Sequence, residues 1–149
     1  MKNFQFKKAF TLIEIIVVVT IIGLLSGGAA ISYSSLTRAS RDAKRKVDLE
    51  QIRAALEMYR SSEPSAIGQY PDYPDADCSD LVSISNFTSY LPRIPTDPKL
   101  GSNYSCSSSA STYELYSTVE GGDYASCGGS CGVMPCEYSI GPYGKICGP

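Results

Sequence analysis

An almost unbroken apolar run near the N-terminus constrains this chain more than any other feature. The run begins at Phe10, behind Lys7 and Lys8, and extends to Ile31 with one carboxylate, Glu14, in its first half. A helix of about 22 residues is roughly 33 Å long, enough to cross the hydrocarbon core of a bilayer. A charge inside such a helix costs about 2.5–3.5 kcal/mol, so an acid there is read as functional. The run therefore predicts a membrane helix in which Glu14 has a role.

The helical pattern continues beyond this run, to about Arg60. Apolar side chains recur every three to five residues and predict an inward-facing stripe: Leu36, Ala39, Ala43, Val47, Ile52, Leu56 and Tyr59. The opposite face is predicted to be solvated and to carry Arg38, Arg41, Asp42, Lys44, Arg45, Lys46, Asp48, Glu50, Arg53, Glu57 and Arg60. Gly27 and Gly28 interrupt the helix, either as a place where it can stretch or as a close contact with another helix.

Composition argues against an enzyme and against a metalloprotein. The chain has 149 residues, which favours one domain, and it contains neither His nor Trp. His is the usual general base near neutral pH and the commonest metal ligand. The net charge is −2, and without Lys2, Lys7 and Lys8 ten basic side chains face 15 acidic ones. That balance gives no electrostatic case for nucleic acid.

Six cysteines, all after the apolar run, predict disulfides on the oxidising side of a membrane. They are Cys78, Cys106, Cys127, Cys131, Cys136 and Cys147. The close spacing of Cys127, Cys131 and Cys136 also fits a zinc site, but the absence of His favours disulfides. Six cysteines allow 15 pairings. We favour one link from Cys78 to Cys106 and two bridges within Cys127–Cys147.

The C-terminal part is predicted to form a short helix and a small antiparallel sheet. A surface loop is expected over Ser61–Asp77, and a helix over Ser79–Leu91 with Ser79 as N-cap. Strands are expected at Asn103–Ser107, Thr112–Glu120, Glu137–Ile140 and Lys145–Cys147, with a Gly-, Ser- and Cys-rich loop at Gly121–Pro135. The expected fold class is α+β, with the sheet laid on the amphipathic half of the long helix.

The junction from Lys8 to Glu14, Lys-Ala-Phe-Thr-Leu-Ile-Glu, resembles the leader junction of type IV pilins and type II secretion pseudopilins. The usual family sequence has Gly where this chain has Ala9. The resemblance implies cleavage between Ala9 and Phe10, N-methylation of Phe10 by the prepilin peptidase, and a filament-assembly role for Glu14. Glu14 would pair with the amino group of Phe10 on a neighbouring subunit; the plainer alternative is a hydrated Glu14 near the membrane interface.

The resemblance extends over most of Lys7–Glu120, because Tyr70-Pro71 and Pro95-Thr96-Asp97-Pro98 are similar to a major-pseudopilin pattern. It implies a pilin lollipop with a leader at 1–9, a membrane and polymerisation half-helix at 10–31, an amphipathic half at 32–62 and a disulfide-containing head at 63–149. The implied function is a structural subunit of a helical filament, either a pilus or a secretion pseudopilus. The leader stays cytoplasmic and the head lies outside, in line with the positive-inside rule.

The implied partners are other copies of the chain, the prepilin peptidase, an assembly platform with its ATPase, and membrane lipid. DNA is an implied partner only if the filament is a competence pilus. The basic run Arg38–Lys46 is better explained as a solvated face that contacts other subunits.

Pseudopilins bind calcium in a C-terminal loop, where this chain offers Glu120, Asp123 and Glu137. The cysteine-rich insertion departs from that pattern, so no cofactor and no metal ligand are predicted.

A conventional secretory signal is the alternative to the pilin leader. Gly28-Ala29-Ala30 offers a cleavage site of small residues at the end of the apolar run. The mature protein would then start near Ile31, as a secreted or anchored cystine-rich binding module. In a signal that is removed, Glu14 would raise the free energy of membrane insertion without serving a function. The helical pattern also continues past Ala30, so the pilin leader is favoured.

Overall fold

The structure, a computed structural model, describes residues 10–99 and 101–149, without the side chains of 29–31 and 74–76. The predicted leader, 1–9, lies outside these residues, and so does Ala9. Contacts divide the chain into two units between Thr37 and Arg38. The domain boundaries expected at 31/32 and 62/63 stay predictions.

Helix α1 runs from Leu12 to Ser62, 51 residues. The long helix expected from about Phe10 to Arg60 is therefore confirmed, and it is continuous through Gly27 and Gly28. In the first unit, every described side chain from Phe10 to Leu36 is exposed. A helix that is apolar all round belongs in a protein core or in a membrane. Within the described residues, α1 is the one helix whose length and apolar composition would allow it to cross a membrane.

The second unit contains a five-stranded antiparallel sheet in the order β1-β2-β3-β6-β7. Its strands are β1 (Tyr73–Asp77), β2 (Ser105–Ser109), β3 (Thr112–Ser117), β6 (Tyr138–Gly141) and β7 (Gly144–Cys147). A separate two-stranded ribbon joins β4 (Ser130–Cys131) to β5 (Met134–Pro135). The fold class α+β is confirmed, with a long N-terminal helix and a small C-terminal antiparallel sheet. The strands expected from the alternating pattern are present within two or three residues of their predicted limits.

The core of this unit lies between the C-terminal half of α1 and one face of the sheet. Leu49, Ile52 and Leu56 of α1 are buried in the same cluster as Tyr113 and Leu115 of β3. Fully burying one such side chain contributes about 1.5–3 kcal/mol. This cluster therefore fixes the sheet on the helix.

The predicted inward stripe is wrong in its first half. Ile52, Leu56 and Tyr59 are buried as expected, but Val47 is 66% exposed and Ala39 and Ala43 are also exposed. The inward positions there belong to charged residues instead: Asp42, Arg45 and Asp48 are all buried. The buried positions still repeat every three or four residues, so the helix keeps one face inward. What changes along it is the chemistry of that face.

The helix predicted over Ser79–Leu91 is in fact two short pieces. A 3-10 helix covers Cys78–Ser83, and helix α2 covers Phe87–Tyr90. Between them Asn86 adopts a left-handed conformation with φ 63°, which no continuous helix accommodates. The N-cap is Asp77 rather than Ser79, because the Asp77 carboxylate accepts a hydrogen bond from the Ser79 N–H at 2.8 Å.

The loop predicted at Ser61–Asp77 is also partly wrong. Its last five residues form β1, and Glu63 and Tyr70 before that strand are buried. Strand β1 lies at one edge of the sheet, and edge strands are where a proline is tolerated. The Pro and Gly content of this segment therefore indicated a surface loop where its end is a strand.

Candidate functional site

The candidate site begins at the first turn of α1, where Thr11 and Glu14 cap the helix reciprocally. The Thr11 N–H and hydroxyl both donate to Glu14 Oε2, at 2.8 Å each. The Glu14 N–H donates to Thr11 Oγ1 at 3.3 Å. This is a capping box, in which residues three apart satisfy each other's free backbone N–H groups. The Thr-x-x-Glu spacing from Thr11 to Glu14 is the signal by which the sequence alone could have predicted this cap.

The capping box leaves half of the Glu14 carboxylate for another donor. Both Thr11 hydrogen bonds end on Oε2, and no residue in 10–99 or 101–149 donates to Oε1. The cap also orients the carboxylate towards the start of the helix, next to Phe10. Glu14 is therefore fixed beside the predicted new amino terminus, with one oxygen available.

Around Glu14 the surface of α1 is apolar and uncovered. Phe10 is 82% exposed, Ile13 69% and Leu24 80%. Soluble monomers rarely expose a contiguous apolar surface of this length, so such a surface marks contact with a membrane or a protein. Gly27 and Gly28 lie in open surroundings as well, since a Cβ at either position would meet nothing within 4 Å. Packing within the described part of the chain is therefore not the reason for these glycines.

A second exposed surface lies on the outward face of α1 in the second unit. It is made of the small or apolar residues Ala39, Ala43, Val47, Ala54 and Met58, and we call it the outer stripe. Half of the stripe predicted to face the core thus faces solvent. An apolar surface of this kind has the chemistry of a helix-packing face.

All six cysteines are paired, in three disulfides. Cys78 pairs with Cys106, Cys127 with Cys147, and Cys131 with Cys136. These are the link and the two bridges that the sequence favoured, and the zinc alternative has no free thiolate within the described residues. Cys78–Cys106 ties the 3-10 helix to β2, and Cys127–Cys147 ties the Gly-rich loop to β7. Cys131–Cys136 closes the β4–β5 ribbon.

Two of the three candidate calcium ligands have hydrogen-bond partners within the chain. Glu120 Oε1 accepts from Arg41 and Arg45, and its Oε2 accepts from Arg41 at 2.5 Å. Glu137 accepts from the Val119 N–H, and Asp123 is exposed. Among the described residues no group of three or more carboxylates or cysteines could hold a metal ion. A carboxylate that two guanidinium groups already neutralise is a poor calcium ligand.

Sequence reasoning missed a buried ion cluster centred on Arg45. Its guanidinium donates to Asp42 at 2.6 Å, to Asp97 at 2.8 and 3.0 Å, and to Glu120 at 2.7 Å. The Arg45 side chain is only 1% exposed. The cluster joins α1 to the Pro-Thr-Asp-Pro segment and to the segment after β3. Asp97, noted in the sequence for its resemblance to a family pattern, is thus an intramolecular partner of Arg45.

Charge pairing sets the pKa values in this cluster. Hydrogen bonds from Arg41, and then from Arg45, lower the pKa of Glu120 to about 2. Burial alone would lower the pKa of Arg45, but its hydrogen bonds to Asp97 and Glu120 raise it above its usual value. Glu120 and Arg45 are therefore both charged at neutral pH. Two members of the basic run, Arg41 and Arg45, serve the fold of this unit.

Comparison with known families supports the interpretation of the N-terminus. Residues 5–30 match the prokaryotic N-terminal methylation motif. No curated protein and no solved structure matches the chain. The motif implies processing by a prepilin peptidase and assembly into a filament, and with the apolar helix it fits a single-pass membrane-anchored protein. The match supports the prepilin leader of the type IV pilin and pseudopilin family that the sequence from Lys8 to Glu14 resembles.

Proposed function

We propose that this chain is a structural subunit of a type IV pilus or a pilus-like filament, and not an enzyme. The observation that carries the proposal is the start of α1. There a capped carboxylate, Glu14, stands in an exposed apolar surface, inside the segment that matches the methylation motif. In this proposal the peptidase cuts between Ala9 and Phe10 and methylates Phe10, with the leader in the cytoplasm and the head outside.

In the filament, Glu14 Oε1 accepts from the N-methylated amino group of Phe10 on a neighbouring subunit. A charge in an apolar surrounding is costly when it is unpaired, so only the register that pairs the two charges relieves both penalties. The capping box supports this role, because Thr11 holds the carboxylate in one orientation before the neighbour arrives. Orientation in advance reduces the entropy lost on association.

The exposed apolar surfaces supply the affinity. Side chains from Phe10 to Leu25 pass from lipid into contact with the same segment of other subunits, and the outer stripe extends that contact to 39–58. An assembly platform and its ATPase move the subunit out of the membrane. Lipid is the first partner and further copies of the chain are the second.

A major pseudopilin of a type II secretion system is the alternative within the same family. Its support is the Pro-Thr-Asp-Pro segment, but Asp97 is engaged by Arg45, so packing of the head explains this residue in either case. Neighbouring genes separate the two functions. Secretion genes beside an outer-membrane secretin favour the pseudopilin, and a retraction ATPase with adhesion or competence genes favours the pilus.

The charge on Glu14 is tested by two substitutions that treat the helix cap differently. Glu14→Ala removes both the cap and the charge, whereas Glu14→Gln keeps an acceptor for Thr11 and removes only the charge. We expect both variants to accumulate in the membrane and both to lose filaments in shearing and electron-microscopy assays. If Glu14→Gln assembles like the parent protein while Glu14→Ala does not, Glu14 acts as a helix cap and the pairing is wrong.

A further inference from the structure

The outer face of the sheet, the face turned away from α1, carries a hydroxyl-lined cavity. Its volume is about 210 Å³, and it is lined by Ser107, Ser108, Ser109, Thr112, Tyr113, Glu114, Tyr116 and Ile146. Pockets for drug-sized ligands measure about 300–1,000 Å³. This cavity therefore suits one smaller ring or a single unit of a longer ligand.

The strand register places the polar groups side by side. Ser107 lies opposite Glu114, and Ser109 lies opposite Thr112, across the β2–β3 pair. Residues directly opposite in an antiparallel pair share one face of the sheet. The buried side chains of these strands, such as Leu115, alternate to the other face. The cavity thus contains two adjacent rows of hydroxyl and carboxylate groups on a rigid support.

Packing of the head does not explain these groups. Strand β2 is Ser-Cys-Ser-Ser-Ser, although strands favour β-branched and aromatic residues. Ser108 is accounted for, since its hydroxyl donates to the Pro71 carbonyl. Within the part of the chain that the structure describes, the side chains of Ser107, Thr112 and Glu114 have no hydrogen-bond or ion-pair partner. Local departures from the expected residue types tend to mark functional positions.

The chemistry of the lining selects the class of ligand. The lining residues include one carboxylate and no cation. This disfavours phosphate and other anions, and one carboxylate is too few for a divalent cation. Strands β2 and β3 are paired on both sides, so no free backbone edge invites a peptide strand. Hydroxyl groups and a carboxylate beside the apolar side chain of Ile146, which is 58% exposed, suit a neutral ring with hydroxyls on its rim and C–H groups on its face.

We propose that this cavity binds a pyranose sugar. Glu114 accepts hydrogen bonds from two neighbouring sugar hydroxyls, Ser107 and Thr112 exchange hydrogen bonds with a third, and the C–H face of the ring lies against Ile146. The cavity lies on the sheet face away from α1, so the sugar remains accessible when α1 contacts other subunits. The binding does not depend on the filament, because every residue involved belongs to β2, β3 or β7.

The test uses the full chain in detergent micelles and the methyl glycosides of glucose, galactose and mannose as probes. We expect saturable binding of at least one glycoside, with a Kd of about 1–10 mM, measured by saturation-transfer NMR. Glu114→Gln should weaken it about tenfold, because a charged acceptor is lost. Asp123→Asn, an exposed carboxylate outside the cavity, is the matched control and should bind like the parent.

A second substitution keeps the test valid if the Glu114→Gln variant does not fold. Ser107→Ala removes one hydroxyl without changing charge, and it should weaken binding several-fold while near-UV circular dichroism stays unchanged. Absence of saturable binding for all three glycosides overturns the proposal. Binding that is equally strong in the parent, Glu114→Gln and Ser107→Ala overturns it as well, since the sugar would then occupy another surface.

Discussion

The two units of this chain place their side chains in opposite ways. In the first unit apolar residues such as Ile13 and Leu24 are exposed and nothing in the described chain covers them. In the second unit charged residues such as Arg45 and Asp97 are buried and satisfied by each other. The first unit has the surface of a segment that needs lipid or other subunits. The second unit neutralises these buried charges with partners from its own part of the chain.

The contrast also runs along the single helix α1. Before Thr37 no described side chain of α1 is buried, whereas its inward face from Asp42 to Tyr59 contacts the head. The first segment of α1 therefore needs contacts with its surroundings to cover its side chains. The second segment is covered by distant parts of the same chain. Substitutions in the two segments should accordingly change different properties.

The largest effect on the second unit is expected from Arg45→Ala. It leaves Asp42, Asp97 and Glu120 without their shared partner, and removal of one member of a buried ion pair costs about 3–5 kcal/mol. The free energy of unfolding of the full chain in detergent, followed by near-UV circular dichroism against urea, measures this. Membrane insertion should not change.

Arg38→Ala is the matched control, because Arg38 lies on the same helix and is exposed. It should change the free energy of unfolding by less than about 0.5 kcal/mol. Equal stability of Arg45→Ala and Arg38→Ala would contradict the view that ion pairing holds this end of the head.

A smaller effect is expected from acid, through Glu120. Its pKa is lowered in the folded state to about 2, from an ordinary value of 4.5, so the folded state disfavours its protonation. The stability it contributes is present above pH 4.5 and is lost as the pH falls towards 2. Thermal unfolding of the parent should therefore shift to lower temperature below pH 4.5.

Glu120→Gln isolates this contribution. The variant should be less stable than the parent at pH 7, and the difference between the two should shrink as the pH falls below 4.5. A difference that stays constant from pH 7 to pH 3 would show that Glu120 is not the group responsible.

The smallest effect on stability is expected from Val47→Ser in the outer stripe. Val47 is 66% exposed, so its replacement should change the free energy of unfolding by less than about 0.5 kcal/mol. Filament yield should nevertheless fall, because the outer stripe packs against other subunits in the proposed filament. Leu49→Ala, two residues away and buried, should show the reverse pattern, with a loss of about 2–5 kcal/mol in stability. An outer-stripe variant that unfolds as readily as Leu49→Ala would place Val47 in the core after all.

Local patterns predicted the parts of the fold that depend on local sequence. The length of α1, the buried positions Ile52, Leu56 and Tyr59, and the strands with alternating burial all follow from side-chain periodicity. The leader was identified from a few consecutive residues around Ala9 and Phe10. These features need no information from elsewhere in the chain.

The errors on α1 concern residues whose partners are distant in sequence. Arg45 was assigned to the solvated face because charged side chains usually lie there. Its partners Asp97 and Glu120 are 52 and 75 residues away, and no local pattern connects them. The same distance hid the partner of Asp48, the hydroxyl of Tyr104, which lies 56 residues further on. Once these partners are known, the outward position of Val47 follows from helix geometry alone.

The start of the mature chain decides most, because the pairing proposed for Glu14 requires a free amino group at Phe10. Mass spectrometry of the N-terminal peptide of protein extracted from its native membrane tests this directly. We expect a peptide that starts at Phe10 and carries one added methyl group on its amino terminus. A mature chain that starts at Ile31, after cleavage behind Ala30, would contradict it and would remove Glu14 from the mature protein.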